Sequence, residues 1–139
     1  MSRITVGFIK CALVYFIAAM LLGIYMSASG RVYPWMPIHV HFNLLGWMSM
    51  MIFGVGYHIL PRFSGRPLWS DTLSVLHIWL ANIGLVGMAA GWMMRGSAGT
   101  TVLVIFSIVE AVSIIFFATN MFKTIKAVPA QPKPAPAKG

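Results

Sequence analysis

Four histidines are the side chains of this sequence that are best suited to chemistry, and two of them lie only two positions apart. His39 and His41 belong to the segment HVHFNLLGW, whereas His58 and His77 stand alone further along the chain. Imidazole is the commonest metal ligand in proteins, and a histidine within a hydrophobic segment is costly unless it has a function. The sequence therefore predicts a metal or a metal-containing cofactor at one or more of these histidines.

Composition shows which structure must position them. Of the 139 residues, 59% are hydrophobic and only 9% are charged, which is far from the composition of a soluble domain. Four apolar segments are each long enough to cross a hydrocarbon core of about 30 Å; they span residues 7–29, 38–60, 72–94 and 100–122. A cleaved leader that ends near residue 30 is an alternative for the first segment.

Pro37 suits the first turn of the second helix and Pro61 its end, and Ser70 or Asp71 can cap the third. Short connections between these segments make neighbouring helices antiparallel. The predicted fold class is therefore all-α, an integral membrane four-helix up-down bundle over residues 1–126. Residues 127–139, AVPAQPKPAPAKG, are rich in proline and are predicted to form a disordered tail.

Positive charges concentrate on one side of the predicted bundle. Lysines and arginines flank the first segment, occupy the loop between the second and third, and follow the fourth, whereas Arg31 and Arg95 alone lie on the other side. The positive-inside rule predicts an inner-membrane protein with both termini in the cytoplasm. The net charge of +8 is thereby explained by topology. No basic cluster is interleaved with aromatic residues, so nucleic acid is not an expected partner.

The histidines fall at two depths in the membrane. His41 and His58 are roughly 25 Å apart along the second helix at 1.5 Å per residue. His77 enters the third helix on the same side as His58, so these two can face each other and neither can share a site with His41. His39 and His41 point about 200° apart on a helix, so both can bind one metal only if residue 39 lies in an irregular turn.

Small and polar residues give two further expectations. Residues with short side chains accompany His58 and His77 at spacings of three or four, and such stripes either let helices pack closely or leave room for a flat macrocycle. Asn82 and Glu110 lie at similar depths in the third and fourth helices. That depth allows a hydrogen bond between the helices, and a proton relay is the functional alternative.

The block HVHFNLLGWMSMMIFGVGYHILPRF, followed by LHIWLANIGLVGM, resembles subunit I of the haem–copper oxidases. The cbb3-type and nitric oxide reductase branches are the most similar, specifically short four-helix proteins that are oxidase-subunit-I-like. In that family the histidine that matches His41 is an axial ligand of the low-spin haem near the outer face. The resemblance therefore implies a haem ligand at His41.

The same resemblance limits the activity. In the family, the second low-spin ligand and the ligands of the catalytic metal centre come from helices beyond these four, so an autonomous terminal oxidase is not expected. The single Cys11 excludes covalent attachment through a Cys-x-x-Cys-His motif. The implied cofactor is therefore haem b, bound non-covalently.

The leading interpretation is a membrane b-type haem protein that transfers electrons or senses a diatomic gas, with His41, His77, His58 and His39 as candidate ligands in that order. A second copy in a homo-oligomer can supply the missing axial ligand of His41, or His58 and His77 can hold a haem within one chain. The expected partners are membrane lipid and a redox partner, either a quinol or a cytochrome.

Two alternatives remain open. The first is a copper or other transition-metal binding or transport protein that uses Met36, His39 and His41, since thioether and imidazole ligands suit copper and the chain has eleven methionines. The second is a non-catalytic assembly subunit whose histidines only form hydrogen bonds between helices.

Overall fold

The structure is a computed structural model that describes residues 1–94 and 96–126. It contains four long helices, α1 (Arg3–Ser29), α2 (Trp35–Phe63), α3 (Asp71–Met93) and α4 (Gly96–Thr124). All four are long and apolar enough to cross a membrane. The predicted all-α membrane bundle is therefore confirmed. Arg95 and the predicted tail, 127–139, lie outside the described residues.

Serine caps determine where α1 and α3 begin. The hydroxyl of Ser2 accepts a hydrogen bond from the N–H of Thr5 at 3.1 Å, and the hydroxyl of Ser70 accepts one from Leu73 at 3.2 Å. Each bond satisfies one of the N–H groups that a helix leaves unpaired in its first turn. Gly30 follows the end of α1 with φ 67°, the left-handed conformation that glycine adopts at low cost. Of the two residues predicted as possible caps of the third helix, Ser70 is the one that caps it and Asp71 is the first helical residue.

Of the two prolines predicted at the ends of α2, only one lies at an end of the helix. Pro37 lies in its first turn, as predicted. The expectation that Pro61 ends the helix is wrong, because α2 continues to Phe63. The N–H of Ser64 donates to the carbonyl of Leu60 at 3.1 Å, so the backbone ladder resumes directly after the proline.

The middle of α2 is π-helical. Residues Phe42–Ser49 form this wider segment, between the α-helical parts Trp35–His41 and Met50–Phe63. The hydroxyl of Ser49 donates to the carbonyl of Leu44 at 2.8 Å, five positions back. This side-chain bond spans the same five residues as the backbone N–H to carbonyl bonds that define a π-helix, and such segments often occur at functional sites. Here the wide segment begins immediately after His41.

Glycines allow α3 and α4 to pack closely. A Cβ atom on Gly87 would overlap the ring of Phe106, and one on Gly84 would lie 2.6 Å from Oε2 of Glu110. Small residues are used in this way at helix interfaces in membranes. The stripe that follows His77 includes Gly84 and therefore serves helix packing, since Glu110 occupies the space that a macrocycle would need there.

The same principle joins α2 to α1. A Cβ atom on Gly46 would lie 2.6 Å from the side chain of Tyr15, and one on Gly54 would lie 3.0 Å from that of Phe8. The buried apolar core lies mainly between α1, α2 and α3, with one residue from α4. It comprises Phe8, Ala12, Tyr15, Met50, Phe53, Tyr57, Ala81, Leu85 and Met121.

Candidate functional site

The two ends of the bundle differ in chemistry. We call one the basic end: it holds the start of α1, the α2–α3 connection and the end of α4. Its positively charged side chains in the described part of the chain are those of Arg3, Arg62, Arg66, Lys123 and Lys126. We call the other the histidine end, where α1 finishes and α2 begins with His39 and His41.

His41 is partly buried and faces α3. Its Nδ1 lies 2.8 Å from the carbonyl oxygen of Pro37, so Nδ1 carries the proton and donates it to that oxygen. The imidazole centroid lies 4.4 Å from the indole centroid of Trp92, with the planes tilted by 47°. Within residues 1–94 and 96–126, Nε2 of His41 has no hydrogen-bond partner. Metal-ligating histidines have this arrangement, with one nitrogen fixed on a carbonyl and the other available.

His39 faces the opposite way. Its Nδ1 donates to the carbonyl of Ala19 in α1 at 2.8 Å, and a Cβ atom on Gly23 would lie 3.2 Å from its ring. His39 therefore connects α2 to α1, whereas His41 contacts α3. The predicted divergence of the two side chains is confirmed. The three donors of the copper alternative, Met36 and these two histidines, are consequently not brought together by α2.

Two residues beside these histidines were not predicted as site residues, Asn43 and Trp92. Asn43 donates from Nδ2 to the carbonyl of His39 at 2.9 Å and lies 3.4 Å from Nε2 of the same residue. Its spacing of four from His39 was the available signal. Trp92 gave no signal, since its contact with His41 depends on how α3 is aligned beside α2.

His77 is fully buried at the basic end, with 0% of its surface exposed. Its Nδ1 shares a hydrogen bond of 3.0 Å with the hydroxyl of Tyr57, and Nε2 has no partner within the described chain. Aromatic rings enclose it at centroid distances of 4.6 to 5.8 Å. They belong to Phe8, Phe53, Tyr57 and Phe117.

His58 lies on another side of α2 from this cage. Its Nε2 accepts a hydrogen bond of 2.5 Å from the guanidinium of Arg62. Neither a hydrogen bond nor a ring contact joins His58 to His77 in the described part of the chain. The two histidines share an end of the bundle, but the structure does not bring them together as a pair of ligands.

The expected hydrogen bond between Asn82 and Glu110 is not formed. Asn82 instead accepts a hydrogen bond from the hydroxyl of Tyr15 in α1 at 3.0 Å, while Glu110 packs against Gly84. Equal depth was a correct inference, but Asn82 and Gly84 are two positions apart on α3 and so face different neighbours. Oε2 of Glu110 is buried without a hydrogen-bond partner among the described residues.

The donor set at the histidine end fits haem ligation on one point, the unpaired Nε2 of His41 with its ring held by Pro37 and Trp92. The histidine at the basic end is poorly suited to bind a haem. His77 also has an unpaired Nε2, but four aromatic rings surround it and none of its surface is open to a large planar group.

Comparison with known proteins gives relatives that include three oxidase subunits or their homologs. Cytochrome c oxidase subunit 1 of Rhodobacter capsulatus is 43% identical over 63 residues, which is 45% of this chain and 12% of that protein. Cbb3-type cytochrome c oxidase subunit CcoN1 of Stutzerimonas stutzeri is 40% identical over 74 residues, 52% of this chain and 16% of that protein. A cytochrome c oxidase subunit 1 homolog of Agrobacterium tumefaciens (strain T37) is 41% identical over 63 residues, 45% of this chain and 12% of that protein.

The chain thus spans only 12 to 16% of the length of these relatives. A sequence model of the family Cytochrome C and Quinol oxidase polypeptide I matches residues 32–128, which include all of α2, α3 and α4. This match covers more than half of the chain and includes all four histidines. The chain therefore belongs to the cytochrome c and quinol oxidase polypeptide I family.

Proposed function

We propose that this chain is a membrane haem protein in which Nε2 of His41 is an axial ligand of a non-covalently bound haem b. The single observation that carries the proposal is the state of that imidazole, whose Nδ1–H is fixed on the carbonyl of Pro37 while Nε2 is unpaired. Family membership supports the choice of haem over other metals. A bound haem supplies one-electron redox chemistry, so the proposed role is electron transfer.

His39 is a supporting residue in this proposal. Its hydrogen bond to Ala19 fixes the start of α2 against α1, and Asn43 donates to its carbonyl directly before the wide segment. These contacts hold the backbone from which His41 projects. The role of His39 is thus to position His41, which ranks it below His41 as a ligand.

The second axial ligand is proposed to come from a second copy of this chain. His39 is turned towards α1 and the other two histidines lie at the basic end, so none of them can reach the iron opposite His41. A two-fold symmetric dimer would present two equivalent His41 side chains across its axis. A quinol or a cytochrome is the proposed redox partner. The basic end is proposed to face the cytoplasm, which puts His41 near the outer face of the inner membrane.

The test is the haem content of the purified full chain, measured as the pyridine haemochrome and divided by the protein concentration. We expect a Soret band, α and β bands that sharpen on reduction, and one haem per two chains. His41→Ala should lose most of the haem, whereas the matched variant His58→Ala should keep it. Unchanged occupancy and spectra in His41→Ala would remove His41 from the ligand set.

Other outcomes select between the alternatives. One haem per chain in a monomer would overturn the shared ligand, and a reduced spectrum that shifts with carbon monoxide would favour gas sensing over electron transfer. A colourless protein with stoichiometric copper would replace the haem proposal by the copper alternative. Absence of both would leave the assembly role, in which His39 and His77 serve only their hydrogen bonds to Ala19 and Tyr57.

A further inference from the structure

A cavity of about 410 Å³ lies at the basic end, between the start of α1 and the α2–α3 connection. It is remote from His41, so it takes no part in the proposed haem site. The polar residues that line it include Ser2, His58, Arg62, Arg66 and Asp71. Their charges and surroundings indicate which ligand the cavity suits.

Positive charge exceeds negative charge in this cavity. Two basic residues line it, Arg62 and Arg66, against one acidic residue, Asp71. Within residues 1–94 and 96–126, neither arginine forms an ion pair with a carboxylate. Arg62 is held by its hydrogen bond to Nε2 of His58, which leaves its other N–H groups available. An anion is therefore the class of ligand that would complete the cavity.

The backbone around the cavity is fixed before any ligand binds. The N–H of Arg66 donates to the carbonyl of Pro61 at 3.0 Å, which closes the turn between Arg62 and Arg66. On the far side of the connection, Asn120 of α4 accepts a hydrogen bond from the N–H of Ser70 at 3.1 Å and donates to its carbonyl at 2.7 Å. A preorganised site binds with a smaller entropic cost.

The depth of the cavity identifies the source of the anion. Exposed aromatic side chains occur at the same end, with Phe63 78%, Trp69 53% and Phe122 82% exposed. The ammonium of Lys123 lies 5.9 Å from the ring centroid of Trp69. Tryptophan and cationic residues together are typical of the boundary between lipid tails and headgroups. At this boundary the abundant anions are the phosphates of membrane lipids.

We propose that this cavity binds the phosphate of an anionic phospholipid headgroup, with Arg62 and Arg66 as its ligands. Guanidinium groups match phosphate oxygens in a fork-like geometry, and this geometry favours a defined site over diffuse attraction. The α2–α3 connection would then contact lipid on one side and α4 on the opposite side.

The test compares lipid retention by the purified full chain in native mass spectrometry, with phosphatidylglycerol and phosphatidylcholine as the probes. The wild type should retain phosphatidylglycerol preferentially. The double variant Arg62→Gln/Arg66→Gln should weaken that retention roughly tenfold or more, since each cationic side chain near the surface contributes measurably to binding of an anionic lipid. The matched control Lys123→Gln/Lys126→Gln removes two charges from the same end outside the cavity and should keep the preference.

The outcomes that would overturn the phospholipid site are as follows. Equal losses in the two double variants would mean general electrostatic attraction and would overturn the site, as would unchanged retention in Arg62→Gln/Arg66→Gln. If inorganic phosphate alone raises the melting temperature as much as phosphatidylglycerol does, the ligand is a free anion and the lipid assignment is wrong. Arg66→Gln alone, which leaves the hydrogen bond between Arg62 and His58 intact, provides the same comparison if the double variant does not fold.

Discussion

The imidazole of His41 and the indole of Trp92 lie 4.4 Å apart between ring centroids, with their planes tilted by 47°. This contact joins the start of α2 to the end of α3. Together with the hydrogen bond from Nδ1 to Pro37, it fixes the imidazole at two points and leaves Nε2 as the atom available to a ligand. The direction in which the proposed haem ligand points is therefore set by α3 as much as by α2.

Replacement of Trp92 by leucine should weaken haem binding without unfolding the bundle. An aromatic pair contributes about 1 kcal/mol beyond its buried area, so we expect haem retention to fall by about fivefold and the reduced α band to broaden. Optical titration with haem measures the first effect. Trp79→Leu is the control, because Trp79 is 64% exposed on the outside of α3. Equal affinities in the two variants would show that the ring contact does not support His41.

The glycine interface between α3 and α4 predicts a sharp difference between two alanine substitutions. Gly87→Ala should destabilise the protein by about 1–3 kcal/mol, because the new Cβ overlaps the ring of Phe106. Gly56→Ala should be neutral or stabilising, since the nearest atom, in Phe117, lies 3.4 Å from the added carbon and alanine favours the helix. Thermal unfolding in detergent, followed by circular dichroism, distinguishes them. Similar melting temperatures would contradict the packing described for Gly87.

The role of His77 can be separated from haem binding. Tyr57→Phe removes the hydrogen bond to Nδ1 and leaves both nitrogens of a fully buried imidazole unpaired. We expect a loss of about 1–3 kcal/mol in stability, with haem content unchanged. Replacing both partners, as in Tyr57→Phe/His77→Leu, should cost less than the sum of the single changes. Tyr33→Phe, at a side chain that is 70% exposed, is the control. Loss of haem in Tyr57→Phe would return His77 to the candidate ligands.

Asn120 should control how readily the α2–α3 connection opens. It is fully buried and forms two hydrogen bonds to the backbone of Ser70. Asn120→Leu removes both bonds and leaves the N–H of Ser70 without its partner, so trypsin cleavage after Arg62 should accelerate roughly tenfold through local opening. Thr101→Val is the comparison, because the hydroxyl of Thr101 is exposed and bonds only within α4. An unchanged cleavage rate in Asn120→Leu would show that other contacts hold the connection.

Hydropathy, cap residues and helical phase were sufficient to predict the membrane helices, the start of α3 at Ser70 and the divergence of His39 from His41. All of these depend on residues that are close in sequence. The partner of a side chain depends instead on how neighbouring helices are rotated and aligned. Asn82 illustrates the difference, since its depth matches Glu110 but its face points to Tyr15.

The same limit applies to the candidate site. That His41 projects from the start of α2 follows from its position, but its contact with Trp92 requires the packing of α3 on α2. Whether a stripe of small residues contacts a cofactor or a neighbouring helix also depends on which side chains of the adjacent helix lie beside it. For the stripe on α3 the answer comes from α4, because Glu110 lies against Gly84 of the stripe.

The π-helical segment Phe42–Ser49 makes the length of α2 adjustable. Deleting one residue from an α-helical part of α2 would rotate everything beyond it by about 100° and separate side chains from their partners. A π-helical segment already contains more residues per turn, so losing one would let the ladder close to α-helical spacing with a much smaller rotation. The number of residues between His41 and Met50 can therefore change by one during evolution while both halves of α2 keep their neighbours.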